Sequence, residues 1–144
     1  MAIWFDKSPL EYARDRAART MIDHLGIEVI EAGDDYLKAR MPVDHRTKQP
    51  AGVLHGGASM ALAETLASWG AAFCVDHNKH HCVGLEINAN HIRPVSGGMV
   101  TGTARPIHLG RTTHVWEIRI TDELDKLACI ARVTMAVLST AMQY

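Results

Sequence analysis

Glu64 is the only carboxylate in the stretch Ala51 to Val75, "AGVLHGGASMALAETLASWGAAFCV", which otherwise has the composition of a buried helix. An unpaired, ionised carboxylate is expensive in apolar surroundings. At helical spacing the neighbours of Glu64 are Met60, Ala61, Ala67 and Ser68, and none is basic. Such an acid either faces solvent or a buried arginine, or is kept for chemical use, and the chemistry open to a carboxylate is proton transfer or nucleophilic attack. Ser68 follows one turn later on the same face. Taken alone, it reads as a small residue that lets another element pack closely. At the front of the same stretch stands "HGG", His55 to Gly57. A helix start has free backbone N–H groups and a partial positive charge, which would polarise a carbonyl as an oxyanion hole does. Gly56 is the donor to name, because it has no side chain to keep a ligand away. The other reading is that both glycines only make a tight entry to the helix.

The elements that must position these residues follow from pattern. "SPLE", Ser8 to Glu11, has the form of a capping box with Pro9 at the first helical position. It predicts a helix running to about His24, stopped by Gly26. "IEVIEAGDDYLKARMPV" predicts a hairpin turning near Gly33-Asp34-Asp35, with Tyr36, Lys38 and Arg40 alternating against Leu37, Ala39 and Met41. The central helix is expected from about Gly57 to Val75. Four strand-like runs follow: Cys82 to Pro94, Met99 to Leu109, Thr113 to Asp122 and Leu127 to Ser139, separated by "SGG", "LGR" and "DELDK". Strands on both sides of one long apolar helix indicate the α+β class, with an antiparallel sheet of about six strands covered by that helix.

Composition narrows the function classes. The chain has 144 residues, 47% hydrophobic and 22% charged, with a formal net charge of −1. That predicts one globular domain over residues 1–144. No basic stripe supports nucleic-acid binding. His55 and Glu64 interrupt the apolar stretch and make it a poor membrane span. "MAIWFDKSPLEYARDRAART" lacks the continuous apolar core of a signal peptide. Cys74, Cys82 and Cys129 form no disulfide framework and fit a reducing cytoplasm. His77, His80, His81 and Cys82 crowd one loop, but their spacing matches no closed zinc site, so neither metal nor cofactor is expected. No "GxSxG" elbow is present for a serine hydrolase.

"TKQPAGVLHGGASMALAETLAS", "VGLEINANHIRP" and "PIHLGRTTHVWEIRI" together resemble the hotdog-fold acyl-CoA thioesterases of the 4-hydroxybenzoyl-CoA thioesterase superfamily. Within it the chain is most similar to the 1,4-dihydroxy-2-naphthoyl-CoA hydrolase and enterobactin proofreading thioesterase families, over about Gly26 to Leu138. The resemblance implies the hotdog fold and hydrolysis of an aromatic or medium-sized acyl-CoA or acyl-carrier-protein thioester. It implies that Glu64 is the catalytic carboxylate, as nucleophile or as general base on water. It makes Gly56 the oxyanion donor, with His55, Gln49 and Ser68 as polar partners of the thioester or the water. For the coenzyme A arm it implies Gly84, His91, Ile92 and Arg93. It adds His108, Leu109, Gly110 and Arg111 from the next turn. In this chain "HLGRTT" departs from its relatives after the glycine.

Two other classes stay open on the residues alone: a hotdog dehydratase or hydratase, whose usual signature is missing, and a non-catalytic acyl-binding module, which would have no use for Glu64. Length adds one expectation. Gly56 and Glu64 are about 12 Å apart along a straight helix, and both must reach one thioester within about 3 Å. A homodimer with two antiparallel helices satisfies this, and the resemblance implies such dimers pairing into tetramers.

Overall fold

The computed structural model describes residues 1–5 and 7–141. The predicted first helix is two helices, α1 (Pro9–Ala17) and α2 (Met21–His24). Thr20 makes the break. Its hydroxyl donates to the Ala17 carbonyl at 2.6 Å and accepts from the Ile22 N–H at 3.2 Å. One side chain thus closes α1 and opens α2, in competition with a continuous helical ladder. Gly26, at φ 72°, ends α2 as expected. The Gly26 and Ile27 N–H groups bond back to Asp23 and Ile22, in a Schellman closure.

The hairpin forms as predicted, with β1 (Glu28–Ala32) and β2 (Leu37–Pro42). Leu37, Ala39 and Met41 face the core with no exposed surface. The later strands are β3 (His80–His91), β4 (Met99–Leu109), β5 (Thr113–Thr121) and β6 (Leu127–Ser139). They join the hairpin in one antiparallel sheet ordered β1-β2-β4-β5-β6-β3. Chain order and sheet order disagree at β3, which lies at the edge far from β2. The crossing between them is made by α3 (Gly56–Phe73), which lies over the sheet face.

Two glycines let α3 sit close. A Cβ on Gly70 would stand 2.9 Å from the Trp116 ring, and one on Gly102 of β4 would stand 2.6 Å from Leu66 Cδ1. Trp116, Phe73, Leu62 and Leu66 fill the resulting layer without exposure. Trp4 stacks on Trp116 at 6.3 Å between ring centroids, closing one end. This is the hotdog arrangement.

The helix is not buried all round, contrary to its composition. Ala58, Leu62, Ala63, Leu66, Ala67, Gly70, Ala71 and Phe73 face the sheet. Gly57, Ala61, Glu64, Thr65, Ser68, Trp69 and Ala72 form the opposite stripe, and they line a cavity. Glu64 is exposed there. Small residues, equally apolar on every side, hid the direction of the buried face.

Candidate active site

The start of α3 is fixed by backbone bonds and by one histidine. The preceding loop is anchored by Thr47, which is 2% exposed. Its hydroxyl donates to the Pro42 carbonyl at 2.7 Å, and its carbonyl accepts from the His55 N–H at 2.8 Å. His55 is the N-cap, and its Nδ1 accepts from the Gly57 N–H at 2.8 Å. The His55 carbonyl takes the Ala58 and Ser59 N–H groups. Among the described residues, the Gly56 N–H is the donor this helix start leaves without a partner. An N–H at the first helical position has no intrahelical acceptor, and it carries the positive end of the helix dipole.

Gly56 opens on a cleft of about 320 Å³ shared with Gln49, Ser59, His91, Ile92, Arg93 and Pro94. A Cβ on Gly56 would meet the His91 Nε2 at 2.8 Å, so the glycine is what lets this imidazole lie against the helix start. Gln49 Oε1 accepts the Ala51 N–H. The side-chain amide of Gln49 therefore has its NH2 left to donate into the cleft. With Nδ1 occupied as an acceptor, a neutral His55 carries its proton on Nε2, leaving that N–H as a donor next to Gly56 in the chain.

Glu64 belongs to a different hollow, a cavity of about 680 Å³ on the open face of α3. Ser68 and Thr65 flank it, and the Thr65 hydroxyl is turned inward to the Ala61 carbonyl at 2.7 Å. Gly84 of β3 passes directly beside the acid. A Cβ there would stand 2.8 Å from Glu64 Oε1. Among the described residues Glu64 has neither a hydrogen bond nor an ion pair, so both carboxylate oxygens are available.

The remaining sequence-predicted residues lie elsewhere. Leu109, Gly110 and Arg111 line a third hollow of about 500 Å³, with His80, Lys79 and buried His114. His108 stands over the same turn, where a Cβ on Gly110 would be 2.5 Å from its Nε2. Burial, and secondarily the His108 charge, pushes His114 below the usual histidine range. One chain thus groups Gly56, Gln49, His91, Ile92 and Arg93, and it groups Glu64 with Ser68 and Gly84. It does not bring Arg93 and Arg111 into one hollow. Among the described residues, no three His, Cys, Asp or Glu side chains converge as a metal site.

Sequence reasoning missed most of the cavity around Glu64. Thr65 and Trp69 were legible in principle, since they share the stripe of Glu64 and Ser68. The rest of the wall comes from α1, α2 and the chain after them: Tyr12, Arg16, Met21, Ile22, Leu25 and Ile27. No local signal ties those positions to residues in α3.

Comparison with known proteins decides what kind of protein carries these two hollows. A family model described as "Thioesterase superfamily" matches residues 51–129, the span that holds Gly56, Glu64, Gly84, His91 and Arg111. The chain belongs to the thioesterase superfamily. It is 48% identical over 136 residues to the proofreading thioesterase EntH of Cronobacter turicensis, covering 94% of this chain and 98% of that one. It is 46% identical to the 1,4-dihydroxy-2-naphthoyl-CoA hydrolase of Escherichia coli, covering 94% and 99%. A thioesterase of Pseudomonas aeruginosa, crystallised with one glutamine changed to alanine, superposes with a TM-score of 0.94. The identity is 49%, covering 96% of this chain and 99% of that one. This thioesterase is therefore a thioester hydrolase with the hotdog fold. An alignment of 136 residues also extends beyond Gly26 to Leu138. It takes in part of the segment that forms the cavity wall. Among the described residues no helix is long and apolar enough to cross a membrane.

Proposed function

We propose that the chain acts as one domain that hydrolyses an aromatic or medium-sized acyl thioester, carried by coenzyme A or by an acyl carrier protein, to free acid and thiol. The observation that carries the reading is the pair of unsatisfied groups on α3, the Gly56 N–H donor and the Glu64 carboxylate. The carbonyl oxygen docks on the Gly56 N–H, and the charge that develops there is held by the helix start. Gln49 and His55 donate beside it. In one route a Glu64 oxygen attacks the carbonyl carbon, the thiolate departs and takes up a proton, and water cleaves the mixed anhydride. In the other, Glu64 takes a proton from the water that attacks. Ser68 orients the acid or the water in either route.

Gly56 and Glu64 line hollows with no lining residue in common. We therefore place the complete site between two subunits, with the Gly56 cleft of one facing the Glu64 cavity of the other. The β3 edge supports that placement. It is twelve residues long, and in the single chain Leu85 is 63% exposed beside it. Such an edge is a template for pairing with another chain. Dimers that pair again into tetramers complete the assembly, and His91, Ile92, Arg93, His108 and Arg111 bind the coenzyme A arm around it. Three unpaired cysteines fit a cytoplasmic setting. Burial pushes the Cys74 thiol up to about 12 and the Cys82 thiol to about 11.

The test is complementation, read as thiol release from benzoyl-CoA. In a mixed dimer of Glu64→Ala and His55→Ala, one site collects both lesions and the other is intact. Random mixing makes about half the dimers mixed, so about a quarter of parental activity returns. Activity no higher than that of the two parent variants would mean that each subunit builds its own site.

A further inference from the structure

The cavity beside Glu64 has an end wall of distinctive chemistry. Tyr12 of α1 is held by rings on three sides. It meets Trp69 edge-on at 5.9 Å and Phe73 edge-on at 5.8 Å, and it stacks on His77 at 5.2 Å. The Arg16 guanidinium lies over the same ring, 4.2 Å from its centroid. Stacking leaves the edge of the guanidinium, with its N–H donors, open for a planar acceptor. Among the described residues, Arg16 is the only cation lining the cavity. Among the described residues no carboxylate pairs with it. Around it the lining is mostly apolar: Met21, Ile22, Leu25 and Ile27.

Position along α3 gives the spacing. Tyr12 touches α3 at Trp69 and Phe73, about 7.5 and 13.5 Å beyond Glu64 along the axis. A flat group whose carbonyl sits at Glu64 reaches this wall with its far end. There it meets an aromatic platform and an unneutralised cation.

We propose that Tyr12 and Arg16 select the acyl group: the cavity takes a planar acyl group bearing an anionic oxygen at the end away from the thioester. The ring packs against Trp69, the oxygen pairs with Arg16, and Tyr12 holds the guanidinium in place. A carboxylate and an ionised phenol share that chemistry. This proposal rests on Glu64 marking the reacting end of the cavity.

Three thioesters test it: benzoyl-CoA, 4-hydroxybenzoyl-CoA and 4-carboxybenzoyl-CoA, compared by kcat/KM in the parent, Arg16→Gln and Arg16→Lys. The parent is expected to favour the carboxylated acyl group over benzoyl by about two- to fivefold, the size of one exposed ion pair. Arg16→Gln brings that ratio close to one, and Arg16→Lys restores part of it. A preference for 4-hydroxybenzoyl that grows with ionisation of the phenol, and falls in Arg16→Gln, identifies the phenolate as the source. A ratio unchanged by Arg16→Gln overturns the proposal, since a merely structural role would lower all three substrates together. Calorimetric titration of terephthalate and benzoate separates the proposal from the Glu64 reading. Should no thioester be hydrolysed, tighter terephthalate binding to the parent than to Arg16→Gln still supports the Arg16 assignment. Equal affinities reject it.

Discussion

The two hollows on α3 are built by opposite means. The Gly56 cleft is a backbone construction. His55, Thr47 and the loop carbonyls satisfy the N–H groups around Gly56, so its donor is aimed before any ligand arrives. The Glu64 cavity is a side-chain construction, walled by three helices and one passing strand. It leaves its carboxylate without a hydrogen bond among the described residues. A donor for a developing charge works best when rigid. An acid that must attack or accept a proton needs its oxygens unengaged. The difference fits the proposed division of roles, in which the first hollow holds charge and the second moves atoms.

Removing the moving part should cost most. Glu64→Ala is expected to fold and to lower kcat on the order of a thousandfold or more, as loss of a nucleophile or base does. A folded variant that keeps most of its kcat would put the chemistry elsewhere. Displacing the acid without deleting it should cost less. A Cβ on Gly84 would stand 2.8 Å from Glu64 Oε1, at the free end of a flexible side chain. Gly84→Ala should therefore spare the melting temperature and lower kcat by about 10- to 100-fold, the usual penalty of a misplaced reacting group. Unchanged kcat in that variant would mean the carboxylate does not work from this position. The smallest effects belong to the arm of the substrate. Arg93→Ala and Arg111→Ala should each raise KM several-fold, more than they lower kcat, because phosphate contacts hold ground and transition states alike. Identical KM values on a full-length acyl-CoA would remove both arginines from the groove.

Most of the fold was legible because its signals are local. Turn residues bracket each strand, and the limits read for Met99–Leu109 and Leu127–Ser139 are those observed. The broken N-terminal helix was not legible, because Thr20 acts through two hydrogen bonds that depend on the chain already having turned. Two features of the candidate site were legible: a lone acid in an apolar run, which the fold leaves exposed in a cavity at Glu64, and a helix start with a free donor at Gly56. His55 was read as a ligand for substrate or water, and its bond to the Gly57 N–H makes it also the cap that fixes the donor. Tyr12 and Arg16 could not be read at all. They come to line one cavity with Trp69 and Glu64 only through the fold, and an arginine on an exposed helix has no pattern that marks it.

The strand order has a consequence for synthesis. β6, the last of these six strands in chain order, lies between β5 and β3. While the chain emerges, β3 has no strand to pair with in its own subunit until Leu127–Ser139 follow. Such long-range pairing forms late and leaves an edge unprotected in the meantime. A chain stopped before Leu127 would contain Gly56, Glu64, Gly84 and both arginines, yet Gly84 would have nothing to hold it beside the acid. The final strand carries none of the proposed chemistry, and its arrival decides whether a nascent chain becomes an enzyme.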